Sequence, residues 1–138
     1  MTRSEQLATN RALMILERFM STSQIAYLAE AVHGEESEYF IEKIAELANT
    51  CETMSKTYEQ DGKGDDAIVY LHYFIGSADW FITEKDIEME QHQAFGLADL
   101  GYGGELGYIS IEELKSVGAE LDFHWTPKKL GIVKASRS

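Results

Sequence analysis

Between residues 30 and 122 the chain has no arginine and only five lysines, set against twenty-two of its twenty-four acidic residues, a net charge of −17 for that stretch. Acid so concentrated repels phosphate backbones and anionic membranes, which argues against direct nucleic-acid or membrane binding. Cysteine occurs once, as Cys51, so no intrachain disulfide can form and nothing marks an oxidising compartment. Proline also occurs once, as Pro127. With no Ser/Pro-rich or Gln-rich tract, the chain shows neither a disordered linker nor an internal repeat. No apolar run approaches the roughly 20 residues of a membrane span. Residues 1–10 carry Arg3 but no apolar stretch of export-signal length. These absences imply a cytoplasmic protein without a membrane partner.

What is present is a formal charge of −12 over 138 residues, with both ends neutral to basic. That length suits one domain able to bury roughly two thirds of its unfolded surface without staples. Ala8, Ala12, Ile15, Leu16, Phe19 and Met20 recur with helical spacing and predict a first helix. Ser21, Thr22 and Ser23 offer a break and a new N-cap, after which Ile25, Leu28, Ala29 and Val32 continue a short helix to Gly34. Glu35, Glu36 and Glu38 then gather where a helix N-terminus favours negative charge. Phe40, Ile44, Leu47, Cys51, Met54 and Tyr58 step 4, 3, 4, 3, 4 along one face of that third helix, a seam that wants the first helix as partner.

Turn residues and loss of periodicity coincide at residues 61–66, where the pattern changes from helix to strand. Residues 67–74 read as a strand buried on both faces, and residues 80–83 and 93–97 as shorter ones. A glycine loop at residues 101–104 precedes a strand at 106–110, a helical turn at 111–114 and a last strand at 121–125. The predicted architecture is α+β: three N-terminal helices over residues 1–61, packed with a small, mostly antiparallel sheet over residues 67–130, in one compact domain.

Within the strand region the run Leu71-His72-Tyr73-Phe74 is followed by Ala78-Asp79-Trp80-Phe81-Ile82-Thr83-Glu84 and Ala94-Phe95-Gly96. Glu105-Leu106-Gly107-Tyr108-Ile109-Ser110, Glu113-Leu114 and Leu121-Asp122-Phe123-His124-Trp125 complete the order. Across residues 67–130 this resembles a family of small uncharacterised proteins, a domain of unknown function carried by bacterial plasmids, integrative conjugative elements and phages. Residues 52–61 look like the linker of its longer members, which have a helical front end. The resemblance implies a mobile-element setting in a bacterial cytoplasm and supplies no activity, cofactor or site residues.

His72, His92 and His124, with Asp79, Glu84 and Asp122, form the one set from which a histidine/carboxylate metal site could be drawn. No HExxH, H-x-H or helical pair of histidines supports it, so no metal or cofactor is expected. His33, beside Gly34, complements a helix end. Cys51 falls on the apolar seam and reads as a small core residue, not a nucleophile. The glycine loop lacks the lysine and the strand-to-helix setting of a phosphate loop and reads as a turn. No catalytic residue emerges, and the protein is expected not to be an enzyme.

The remaining signal is the acid. Glu84, Asp86, Glu88 and Glu90 alternate with a two-residue period that would project carboxylates in a row on a strand or loop. With Glu35, Glu36 and Glu38 they are the expected contacts to a basic surface of a host nucleic-acid-binding protein, and lysine at the first four should abolish that contact with the fold intact. The expected function is inhibition of a host defence complex, of anti-restriction or anti-CRISPR type, by protein contact that imitates nucleic acid. The alternative is an accessory or structural module, homodimeric through its helical hairpin, with no anti-defence role.

Overall fold

The computed structural model describes residues 1–137. Helix α1 (Arg3–Leu16) starts earlier than its apolar stripe because Thr2 and Glu5 close a reciprocal capping box at its N-terminus. Ser21 caps α2 (Thr22–Ala31) by accepting from the Gln24 N–H. Helix α3 (Ser37–Thr53) ends at Met54, whose backbone is extended. The helix therefore stops short of Tyr58, which is exposed and holds a positive φ of 78° instead of continuing the seam. The rest of that seam is as expected. Ile44, Leu47, Cys51 and Met54 are buried against α1 residues such as Ala12 and Leu16.

Strands β2 (Leu71–Ile75), β3 (Ala78–Glu84), β4 (Ala94–Asp99), β5 (Gly104–Ile109) and β6 (Glu120–Leu121) form one sheet in the order β5-β4-β3-β2-β6, antiparallel throughout. The segment read as a single strand is two. β1 (Ile68–Val69) leaves this sheet to pair with β7 (Lys128–Lys129), which the sequence pattern did not reveal. The two-residue alternation sorts side chains to opposite faces. Leu71, Tyr73 and Ile82 turn toward the helices, where they share one core with Leu16, Met20, Leu28 and Ile44. The Tyr73 hydroxyl, fully buried there, donates to the Phe19 carbonyl.

The opposite face carries His72, Phe81 and Leu97 and is covered by a helix absent from the sequence expectation, α5 (Leu130–Arg137). Leu130 and Val133 of α5 join Val69, Phe81 and Leu97 in a second, smaller core. The short helix α4 (Ile111–Ser116), capped by Ser110, links β5 to β6. No helix among the described residues is long and apolar enough to cross a membrane.

The α1/α3 seam sets a first expectation for stability. Leu47 is 5 % exposed, so Leu47→Ala should cost about 2–5 kcal/mol, the range for truncating a buried leucine. A urea midpoint indistinguishable from wild type would show that the seam does not carry the fold.

Candidate functional site: exposed acid and a charged sheet face

The two acidic groups singled out in the sequence have different fates. Glu35, Glu36 and Glu38 are exposed at the start of α3, and Glu36 makes no side-chain cap bond that would tie it down. Glu42, Glu46 and Glu52 continue as exposed carboxylates along the same helix. Glu38, Glu42 and Glu46 recur every four residues, so they stand on one side of the helix at a rise of about 6 Å per step. The single lysine among them, Lys43, reaches Glu46 at 3.6 Å. Like charges at this spacing each oppose helix formation by a few tenths of a kcal/mol.

The expected row from Glu84 to Glu90 does not exist. Glu84 is 4 % exposed at the end of β3, where the segment leaving α3 crosses over it. One carboxylate oxygen accepts from the Tyr58 N–H at 2.7 Å, and the other accepts from the Gln60 N–H at 2.8 Å. Asp86 is half-buried and closes a loop, accepting from the backbone N–H of Glu88 and of Gln93. Buried Gln91 fills that loop, its side-chain amide bonded to the backbone of Asp86 and Glu88. Residues 85–91 thus wrap around an amide instead of extending, which breaks the two-residue alternation. Only Glu88 and Glu90 remain exposed from this group. Lysine at Glu84 would strand two backbone donors, so the expectation that this group can be reversed without harm to the fold is corrected.

The histidine set is brought together in part. His72 on β2 has Asp122 Oδ2 at 2.9 Å from Nδ1 and Asp79 Oδ1 at 2.7 Å from Nε2. With a carboxylate at each ring nitrogen, both nitrogens donate and the ring is the imidazolium form. Asp79 also meets Arg137 of α5 at 3.2 Å, and Arg137 meets Asp99 at 2.5 Å. The guanidinium lies over Phe81, 5.1 Å from the ring centre, and His72 stacks on the same ring at 4.7 Å. Charges therefore alternate along Asp122, His72, Asp79, Arg137 and Asp99.

That chain of charges fastens α5 to the sheet. While protonated, His72 has no free lone pair with which to ligate a metal or take a proton. His92 is exposed and away from the cluster, and His124 shares a hydrogen bond with the Tyr39 hydroxyl at 2.8 Å. Among the described residues no group of three or more His, Cys, Asp or Glu side chains is placed to hold a metal ion. Cys51 is fully buried, and burial pushes its thiol pKa up, away from thiolate chemistry. Lys85 caps α3 instead, donating to the carbonyls of Cys51 and Glu52. The glycine loop is a turn, with Gly101 and Gly103 at positive φ. Arg137 was the participant that sequence reasoning missed, because α5 itself was missed.

The network sets a pH dependence. Burial opposes charge on His72, but hydrogen bonds to Asp122 and Asp79 outweigh it and raise the pKa above its ordinary value. A raised histidine pKa stabilises the fold fully below about pH 6.5, and the contribution is lost as pH rises through the folded value. The hydrogen bond from His72 holds the Asp122 pKa down, so its contribution is present above about pH 4 and lost as pH falls through the lowered value. His72→Phe keeps a ring on Phe81 but removes a charged partner from both carboxylates, leaving Asp79 to Arg137 and Asp122 to the His124 N–H, which should cost about 1.5–3 kcal/mol near pH 6. The gap between thermal melts of the two proteins should narrow as pH rises through the raised His72 value; a gap that stays constant into the alkaline range would refute the imidazolium assignment.

Residues 41–126, from within α3 to just past β6, match the family model described as "Protein of unknown function (DUF2958)". The match includes all five strands of the main sheet and the His72, Asp79 and Asp122 cluster, while α1, α2 and α5 lie outside it. No curated protein and no solved structure matches the chain. The resemblance read over residues 67–130 is borne out and reaches further toward the N-terminus, and since the match takes in more than half of the chain, the protein belongs to this family of unknown function.

Proposed function

We propose that this is a binding protein, without catalytic activity, encoded by a mobile genetic element and directed at a basic surface of a nucleic-acid-handling host protein, as an anti-restriction or anti-CRISPR inhibitor is. The observation that carries the reading is the exposed carboxylate row of α3, in which Glu38, Glu42 and Glu46 recur on one side with Glu35 and Glu36 at its head. Helices usually intersperse lysine or arginine at these positions. Here a small stability cost is accepted for a linear array of negative charge, which a groove built for a phosphate backbone would attract. In this reading the contact rests on α3 more than on the Glu84 group, because Glu84 is buried and only Glu88 and Glu90 of that group are exposed. Such a protein would work in the bacterial cytoplasm, where its target works.

The test is affinity capture from a bacterial host lysate with the tagged full chain, at low and high salt, read by mass spectrometry. A nucleic-acid-binding protein retained at low salt and released at high salt is the expected outcome. Recovery of the chain with itself alone would favour the accessory homo-oligomer instead.

A further inference from the structure

The two edges of the main sheet are treated differently. At the β6 edge the Gln24 side chain acts as a substitute strand, donating to the Leu121 carbonyl at 2.7 Å and accepting from the Leu121 N–H at 3.1 Å. At the other edge β5 pairs only with β4, and the outward side of its backbone makes no hydrogen bond among the described residues. Exposed edges are usually blunted by lysine, proline, a bulge or a covering element. β5 has none of these, and its only charge is Glu105. Leu106 and Tyr108 on this strand are 51 % and 56 % exposed.

Beside that edge lies a pocket of about 400 Å³, walled by Tyr58, Phe95, Leu106, Tyr108 and Leu130, with Glu84 lining its inner side. The Tyr58 and Tyr108 hydroxyls meet at 2.5 Å. Glu84 has no cationic side chain within ion-pair distance among the described residues, although it is a nearly buried carboxylate. Its two backbone bonds use part of its acceptor capacity and leave its charge uncompensated. Aromatic walls around such a carboxylate suit an ammonium or guanidinium group.

We propose that β5 is a docking edge, on which an extended, lysine- or arginine-bearing segment of a partner protein adds as a sixth strand and places one basic side chain in the pocket beside Glu84. Strand addition would satisfy the outward backbone of β5, and alternate side chains of the incoming segment would fall against Leu106 and Tyr108. A second copy of this chain suits the edge poorly, since residues 30–122 carry a net charge of −17 and two such acidic molecules repel each other. This inference deepens the proposed function and rests on its basic partner.

The test uses the full chain labelled with nitrogen-15 and a capped twelve-residue peptide alternating lysine with valine and threonine. Saturable binding should shift the amide signals of Gly104–Ile109 and slow their hydrogen exchange. Glutamate in place of lysine, backbone N-methylation at alternate residues, Leu106→Asp or Tyr108→Ala should each weaken binding by about tenfold or more. Both substituted side chains are exposed, so the fold should tolerate their loss. Shifts confined to α3, equal binding of the N-methylated peptide, tighter binding of capped lysine alone, or no saturation would overturn the proposal. If reversing the α3 carboxylates releases the captured host protein while β5 stays unprotected, the docking edge fails and the proposed function stands. Protection of β5 by the peptide without capture of any basic host protein gives the converse.

Discussion

Gly96→Ala should destabilise the protein by about 3 kcal/mol or more, beyond the ordinary cost of an added core methyl, while Gly107→Ala should be within about 0.5 kcal/mol of wild type. Gly96 of β4 lies opposite Ile82, where the β3/β4 register shifts so that Glu84 pairs with Phe95. A Cβ at Gly96 would sit 2.0 Å from the Phe81 carbonyl oxygen and 3.0 Å from the Ile82 Cα. Both are backbone atoms of the neighbouring strand, so the clash cannot be relieved by a rotamer change and must open the ladder. Gly107, the β5 partner of Gly96, has nothing within 4 Å of an added Cβ. Urea denaturation of both variants decides the matter, and equal midpoints would mean that the close strand approach is not a constraint. The bulge matters for the site as well, because its extra residue, Thr83, offers its carbonyl to the buried Gln60 amide at 2.7 Å. Gln60 also donates its backbone N–H to Glu84.

Lysine at Glu35, Glu36, Glu38, Glu42 and Glu46 together should reduce affinity for a basic partner by about a hundredfold or more, since each exposed contact changes from attraction to repulsion. The fold should survive with a small loss. These side chains are exposed, but lysine in the first turn opposes the positive end of the α3 dipole by about 0.3–1 kcal/mol. Reversal at Glu88 and Glu90 should act more weakly, as two charges on a loop. Lysine at Glu84 should instead damage folding, because Tyr58 and Gln60 would lose their acceptor. Binding by surface plasmon resonance, with circular dichroism as the control on folding, separates these outcomes. Undiminished binding of the α3 variant would remove the helix from the interface.

Much of this arrangement was legible from local patterns. The apolar stripe of α1, the Ser21 cap and the α3 seam are periodic signals within one element, and they survive in the fold because the same residues make the core. Strands β2 to β5 were legible for the same reason, as was the turn at Gly101, but not the break between β1 and β2 or strand β7. What escaped depends on contacts distant in sequence. The burial of Glu84 follows from a chain crossing more than 20 residues away, and nothing in its local alternation differs from that of an exposed row. Residues 121–125 look like a strand, yet only Glu120–Leu121 pair, because Asp122 accepts from the His124 N–H and turns the chain. Helix α5 is eight residues long and follows two lysines, too short for a periodic signal, and it carries Arg137 to Asp79 and Asp99. The cluster of His72, Asp79 and Asp122 could be grouped from the sequence as titratable side chains in strands, but its role as a clasp is visible only with Arg137 in place.

The central claim is that exposed acid on this protein occupies a surface made for nucleic acid. It is tested most directly by measuring the affinity of the captured host protein for the purified chain across 50–300 mM salt, with and without that protein's own DNA or RNA. The account predicts a log–log plot that falls steeply with salt and mutually exclusive binding, with the nucleic acid displacing the chain from one shared surface. Affinity that does not change with salt, together with a stable ternary complex of host protein, nucleic acid and this chain, would contradict it.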